Sequence, residues 1–293
     1  MTWFRFFKAF SVMGTLFYLL QSEVVNAQTA TSELNSSYFQ SLYSRNLGPS
    51  TMSGRITSIV GTIQENQVNL FIGTAGGGIW KSLNGGITFT PLFDKYCQSI
   101  GDLVIDPKSP KTIYAGTGES NMRNSVSIGD GIYKTTDAGA NWQKIGLDST
   151  EHISEIIIDP SDSKHIWVAV PGPLWSASSH RGLYETKDGG KTWTKALYVD
   201  ENTGCADIAV SPRDPNILLA SFWQFRRQPF SFNSGGKGSA LFKSTDGGKN
   251  WKKVSAGLPE GDLGRIVISF NPSKPTELLS IVEAKIPGLY QSA

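Results

Sequence analysis

Gly131-Ile132-Tyr133-Lys134-Thr135-Thr136-Asp137-Ala138-Gly139-Ala140-Asn141-Trp142 is one copy of a pattern that the chain repeats. It matches Gly78 to Phe89, Gly182 to Trp193 and Ala240 to Trp251, and the closing aromatics fall 53, 51 and 58 residues apart. A second landmark keeps the same beat: Ile105-Asp106-Pro107, Ile158-Asp159-Pro160, Val210-Ser211-Pro212 and Phe270-Asn271-Pro272. A period of about 50 residues, built of short alternating runs, predicts an all-β propeller with one four-stranded blade per repeat. In the second repeat the predicted strands are 103–105, 112–116, 131–135 and a fourth after Trp142, each rich in β-branched or aromatic residues.

The segment from Thr135 to Trp142 has the form Ser/Thr-x-Asp-x-Gly-x-x-Trp, the Asp box of bacterial neuraminidase repeats. Each residue has a structural reason to be there. The Asp side chain accepts backbone N–H bonds within the turn, the Gly supplies a positive φ, and the Trp is a large apolar body for packing between sheets. Asp137 with Trp142, Asp188 with Trp193 and Asp246 with Trp251 keep the pattern, whereas the first copy carries Asn84 and Phe89. Asn can still make the turn bond. A calcium loop would need oxygen ligands at alternating positions and a closing Glu. These loops hold at most one carboxylate each, so no metal is expected.

The 293 residues are 39% apolar, 11% aromatic and 18% charged, with 31 Gly and 14 Pro. Low charge with high Gly argues against coiled coils, bundles and disorder. A net charge of +2 with no basic block gives no support to nucleic-acid binding. Cys97 and Cys205 are separated by a blade and read as free thiols. No Gly-x-Ser-x-Gly elbow or phosphate loop occurs, and no cofactor is expected. Residues 1–27 read as a secretory signal: Arg5 and Lys8, an apolar run from Ala9 to Leu20, and Val25-Asn26-Ala27 before Gln28. The apolar run is too short for a membrane span. Residues 28–54 form a lead-in, and 55–293 a partial propeller of four blades and three strands of a fifth. The last run, Gly288 to Ala293, stops where a fifth box would begin, so the chain reads as the N-terminal part of a longer protein, its partner being the remainder of that chain.

In a propeller the turns joining strands one to two and three to four share one face, and here those are Asp-Pro turns and Asp boxes. The other face carries the irregular segments 118–130, 171–181 and 222–239. Glu119, Arg123, Trp175, His180, Arg181, Trp223, Arg226 and Arg227 fall there, with Phe230, Phe232 and Asn233. Aromatic and arginine-rich loops on a rigid scaffold have the form of a binding surface for a glycan or a peptide. The competing reading is that these side chains plug the central channel. His152 and His165 lie beside strands and read as surface or edge residues.

Arg45-Asn46-Leu47-Gly48-Pro49, Gly54-Arg55-Ile56, Gly77 to Ser82, Gly116-Thr117-Gly118-Glu119, Arg181 to Tyr184, Gly204 to Ile208 and Ser234-Gly235-Gly236 give the chain a further likeness. It resembles exported bacterial proteins with sortilin-type N-terminal propellers and neuraminidase-like repeats, often labelled glycosyl hydrolase. The same repeat is shared by xyloglucan-active glycosidases, whose resemblance implies two propellers with one catalytic Asp from each. Their first Asp falls in an Asp-x-Gly-Gly stretch, and the matching residue here is Ala75. That departure removes one of the two carboxyls an inverting glycosidase needs. Glu119 is the only replacement, a weak candidate catalytic residue. Two functions follow as expectations: a non-catalytic binding propeller, or a glycoside hydrolase completed beyond residue 293.

Overall fold

The computed structural model describes residues 54–64 and 66–292, so the expected signal segment and most of the expected lead-in lie outside the described residues. The described chain is all β. Blade one contains β1 (Ile56–Gln64), β2 (Gln67–Thr74), β3 (Ile79–Ser82) and β4 (Thr90–Pro91). Blade two contains β5 (Ile100–Ile105), β6 (Ile113–Thr117), β7 (Ile132–Thr135) and β8 (Gln143–Lys144). Blade three contains β9 (Glu155–Ile158), β10 (Ile166–Val170), β11 (Gly182–Thr186) and β12 (Thr194–Leu197). Blade four contains β13 (Thr203–Val210), β14 (Leu218–Gln228), β15 (Ser231–Ser234), β16 (Ala240–Ser244) and β17 (Lys252–Val254). Blade five contains β18 (Ile266–Phe270), β19 (Leu278–Val282) and β20 (Gly288–Gln291). Within each blade successive strands pair antiparallel, with β15 attached only to β14. The architecture is the expected propeller of four-stranded sheets.

The core lies between blades and follows the period of two. On β10, Ile166, Val168 and Val170 pack with Tyr114 and Ile132 of blade two. The intervening Trp167 and Ala169 pack with Ile208, Leu218 and Phe222 of blade four. Side chains alternate across a strand, so a strand buried on both faces serves two seams.

Each Asp box closes as its chemistry requires. Asp137 Oδ1 accepts from the Thr135 hydroxyl at 2.7 Å and from Asn141 N at 2.9 Å. Asp188 and Asp246 repeat this with Thr186 and Thr192, and with Ser244 and Asn250. Asn84 makes the same bonds in blade one, accepting from the Ser82 hydroxyl at 2.9 Å and from Thr88 N at 2.9 Å. The second Gly of the box also sets the inter-blade distance. A Cβ on Gly190, at φ +96°, would lie 2.5 Å from the Ile145 side chain of the preceding blade.

Two expectations need correction. Segment 222–239 is not an irregular loop: β14 runs on to Gln228 and β15 returns along it, turning at Pro229-Phe230. The extension forms because Trp223, Phe225 and Phe232 bury against one another and against Leu174, Met122 and Val126. His152 is fully buried rather than at the surface. His165 is mostly enclosed, 3.1 Å from Asp159 and 3.2 Å from Glu185, with its ring 4.0 Å from that of Trp167.

Candidate functional site

The face opposite the Asp boxes is built by the strand-two-to-three segments of blades two, three and four. After β6 the chain turns at Gly118, with φ +87°, and sends Glu119 inward. The carboxylate is fully buried. Arg55, just before β1, grips it with Nε at 2.6 Å and Nη2 at 2.7 Å, while Arg123 Nε stands off at 3.8 Å. A two-pronged guanidinium–carboxylate pair fixes both oxygens.

Arg181 is buried as well. It donates to the carbonyls of Pro171, Pro173 and Ser176, and its guanidinium lies 4.6 Å from the Phe225 ring. Burial pulls its pKa down to about 10. Arg181 is therefore the stay that holds loop 171–176. Trp223, at 4% exposure, donates to the Ser234 hydroxyl and stacks 4.3 Å from Phe225. Neither can present a face to a ligand, because the hairpin and its neighbours cover both.

Five of the named residues do reach solvent, Arg123 among them. Trp175 is 52% exposed, His180 is exposed, and Arg226 and Arg227 are half-buried. Arg226 donates to Trp175 O at 3.2 Å and to Asn202 Oδ1 at 2.7 Å. Arg227 donates from its backbone to Leu174 O and from its side chain to Asn124. The segments of blades two, three and four thus lace together into one surface. Glu119 with Arg123 forms one group in it and Trp175 with Arg226 another, while His180 stands apart.

Below this surface the inner strands carry carboxyl groups that the pattern of motifs did not reveal. Asp102 Oδ1 accepts from the Ser58 hydroxyl at 2.8 Å, and its Oδ2 from Ile156 N of the next blade at 2.9 Å. Asp207 accepts from Ile268 N of the next blade at 2.8 Å. Ser58 does the same for Leu103 N at 3.1 Å. Each of these acceptors follows a β-bulge in its strand, between Ile56 and Ser58, Ile100 and Asp102, and Cys205 and Asp207. The bulge turns the side chain sideways onto the neighbouring blade. Gly101 is needed there, since a Cβ would strike the Ile153 carbonyl at 1.9 Å.

Burial pushes Asp102 and Asp207 up to about 6, and Glu155 is raised by burial and by the charges of Asp102 and Asp207. Raised carboxyls are candidates for general acids, yet Asp102 and Asp207 are committed to backbone bonds between blades. Their position could have been read from the repeat. Asp102, Glu155 and Asp207 all stand four residues before the Asp106, Asp159 and Ser211 landmarks.

His152 lies in the crossing from blade two to blade three with neither ring nitrogen bonded among the described residues. Burial lowers its pKa to about 4, so the ring is neutral. No group of three His, Cys, Asp or Glu among the described residues is placed to hold a metal. On the opposite face an open concavity of about 650 Å³ lies beside the fourth Asp box, lined by Asp246, Asn250, Trp251 and Lys252. Of its walls, Asp246, Asn250 and Trp251 are already bonded within their turn.

Residues 77–234, more than half of the chain, match the family described as Sortilin, neurotensin receptor 3, and residues 242–253 match the BNR/Asp-box repeat. The chain is 25% identical over 224 residues to a probable oligoxyloglucan-reducing end-specific xyloglucanase of Neosartorya fischeri, covering 64% of this chain and 25% of that one. It is 26% identical over 219 residues to the xyloglucanase Xgh74A of Acetivibrio thermocellus, covering 63% of this chain and 23% of that one. The chain therefore spans about a quarter of the length of these relatives. Among solved structures, the GH74 xyloglucanase of Xanthomonas campestris superposes with a TM-score of 0.56 at 19% identity, over 81% of this chain and 36% of that one. At that identity the likeness is one of fold.

Proposed function

The chain belongs to the Sortilin-Vps10 family, and on that premise we propose that it is an exported propeller module that binds a glycan on its loop-rich face without cleaving it. One observation carries the reading. Glu119 is the carboxylate that the sequence offers in place of the missing catalytic acid, and Arg55 occupies both of its oxygens in a closed site. A general acid must bring its proton within hydrogen-bond reach of the leaving oxygen. Ala75, where the xyloglucan-active enzymes would carry a carboxyl, is buried and can do neither half of the reaction. Export follows from the leader at 1–27, and the ligand then meets the protein outside the cytoplasm.

The xyloglucanase relatives favour a second reading, a glycoside hydrolase related to the xyloglucan-active propeller enzymes in which Glu119 supplies one of the two carboxyls. The two readings part on one experiment: titration with xyloglucan oligosaccharides alongside an assay for reducing-sugar release. Binding without release is expected. Release abolished by Glu119→Gln would make the non-catalytic reading untenable.

A further inference from the structure

The loop-rich face carries two sets of segments with opposite charge. The strand-two-to-three segments 118–130, 171–181 and 222–239 hold Arg123, Arg181, Arg226, Arg227 and Lys237 against Glu119 and Asp130. The strand-four-to-one crossings 145–154 and 198–202 hold Asp148, Glu151, Asp200 and Glu201 with no Lys or Arg. Among the cationic segments the charges differ in what they already do. Arg123 faces Glu119, and Arg181 is buried on three carbonyls. Arg226 has no carboxylate partner among the described residues. Its terminal nitrogens bond a neutral carbonyl and a neutral amide, Trp175 O and Asn202 Oδ1. These bonds tie the guanidinium to the backbone of Trp175, whose indole is exposed, and with Nε buried they leave one N–H on each terminal nitrogen.

We propose that Trp175 and Arg226 form the anchor for an anionic glycan, a chain bearing uronic-acid carboxylates. The inference rests on the reading of this face as the binding surface and adds the charge of the ligand. The chemistry divides between the two side chains. An exposed indole offers a flat π-face to the C–H face of a pyranose ring, and a planar guanidinium with free N–H groups pairs a carboxylate on the same ring. Asn202 and Asn124, held by Arg226 and Arg227, add amide groups that can bond hydroxyls. An acidic peptide could satisfy the charge, but it would leave the indole with no planar partner.

The test uses the full chain and three probes: an oligogalacturonate, a neutral xyloglucan oligosaccharide and a poly-glutamate peptide, titrated by calorimetry. The oligogalacturonate is expected to bind at least about tenfold more tightly than the neutral sugar, and less tightly at high salt. Trp175→Ala and Arg226→Gln should each weaken it about tenfold or more, and Arg226→Lys should restore part of the loss. Trp175 is exposed, so its variant keeps the test valid if the Arg226 variants disturb the hairpin. Equal binding of both sugars, unmoved by Arg226→Gln, would overturn the anionic ligand and leave a glycan-binding face standing. Tighter binding of poly-glutamate than of either sugar would overturn the glycan. No binding of any probe would sink the proposal and the binding reading together.

Discussion

The Glu119 carboxylate and the Trp142 indole show what burial does to residues that look functional in a sequence. Glu119 is an acid by type, but two bonds from Arg55 and a closed surround turn it into a tie between blade two and the entry to blade one. Trp142 is buried in the seam between blades one and two, with its ring 5.2 Å from Phe93. Trp193 and Trp251 occupy the same repeat slot but are half-buried, with Trp193 donating to Ile145 O of the preceding blade at 2.8 Å. The cost of removing a side chain follows the cavity it leaves. Trp142→Ala should therefore destabilise by about 3–5 kcal/mol. Trp193→Ala should cost less, about 1–3 kcal/mol, because part of its surface is already wet. Chemical denaturation of the two variants checks the order, and equal losses would mean that the seams are packed alike.

At the scale of the element, the Asp box is a turn whose bonds are local, and that is why it was legible. Residues 135–142 contain most of the donors and acceptors that the turn needs, Ala138 N reaching outside to Lys111 O, and three other repeats confirmed the register. Blade one is a natural substitution experiment, since Asn84 makes the turn with a neutral side chain. Asp188→Asn should leave the melting midpoint close to that of the parent, because the Thr192 hydroxyl can accept where it now donates. Asp188→Ala, which leaves Lys191 N and Thr192 N without their acceptor, should lower it. Thermal melts of the two variants side by side make the comparison. The β14–β15 hairpin was not legible for the opposite reason. Its strands are held by Met122, Val126 and Leu174 from two other blades, and no local spacing announces such contacts. Arg55 and Glu119 meet across 64 positions, which no period announces, and although Asp102 keeps its place in the repeat, its bond to the next blade depends on a bulge. Of the candidate face, the segments were placed correctly, but which side chains stay open to solvent was decided by tertiary packing.

Across the whole molecule two sets of carboxyls titrate in opposite directions. Hydrogen bonds hold Asp137 and Asp246 down at about 2, against an ordinary 3.8. Such groups contribute stability that is present above pH 4 and lost as pH falls toward 2. Burial raises Asp207 from 3.8 to about 6, and Asp102 and Glu155 are raised with it. Between those values the folded chain binds more protons than the unfolded one, so stability falls as pH rises through 4 to 6. Ser58 and Arg265 face this cluster, and the buried Arg265 guanidinium offsets part of the repulsion once the acids ionise. The buried neutral His152, lowered to about 4, opposes part of this fall, so maximal stability is expected near pH 4–5 with a net loss toward pH 7. Asp207→Asn keeps an oxygen for Ile268 N and should flatten the upper limb of the profile. Melting midpoints from pH 3 to 8 provide the check, and a midpoint that climbs steadily to pH 7 would contradict the assignment.

The double allegiance of β10 reaches into the order in which the protein comes apart. Its two sets of side chains belong to the seams on either side, so blade three cannot loosen without letting water into both. Blades one and five have large apolar side chains in the open, among them Ile59 and Ile63 on β1 and Ile281 and Leu289 on blade five. Such an array behaves as a row of nearest neighbours, in which each unit draws its stability from the units it touches. Amide exchange should then be slowest at Trp167 and Val168 and quicken outward toward β2 and β19. Unfolding becomes a peeling that starts at the outer blades, and the middle repeat is the last to give up its protons.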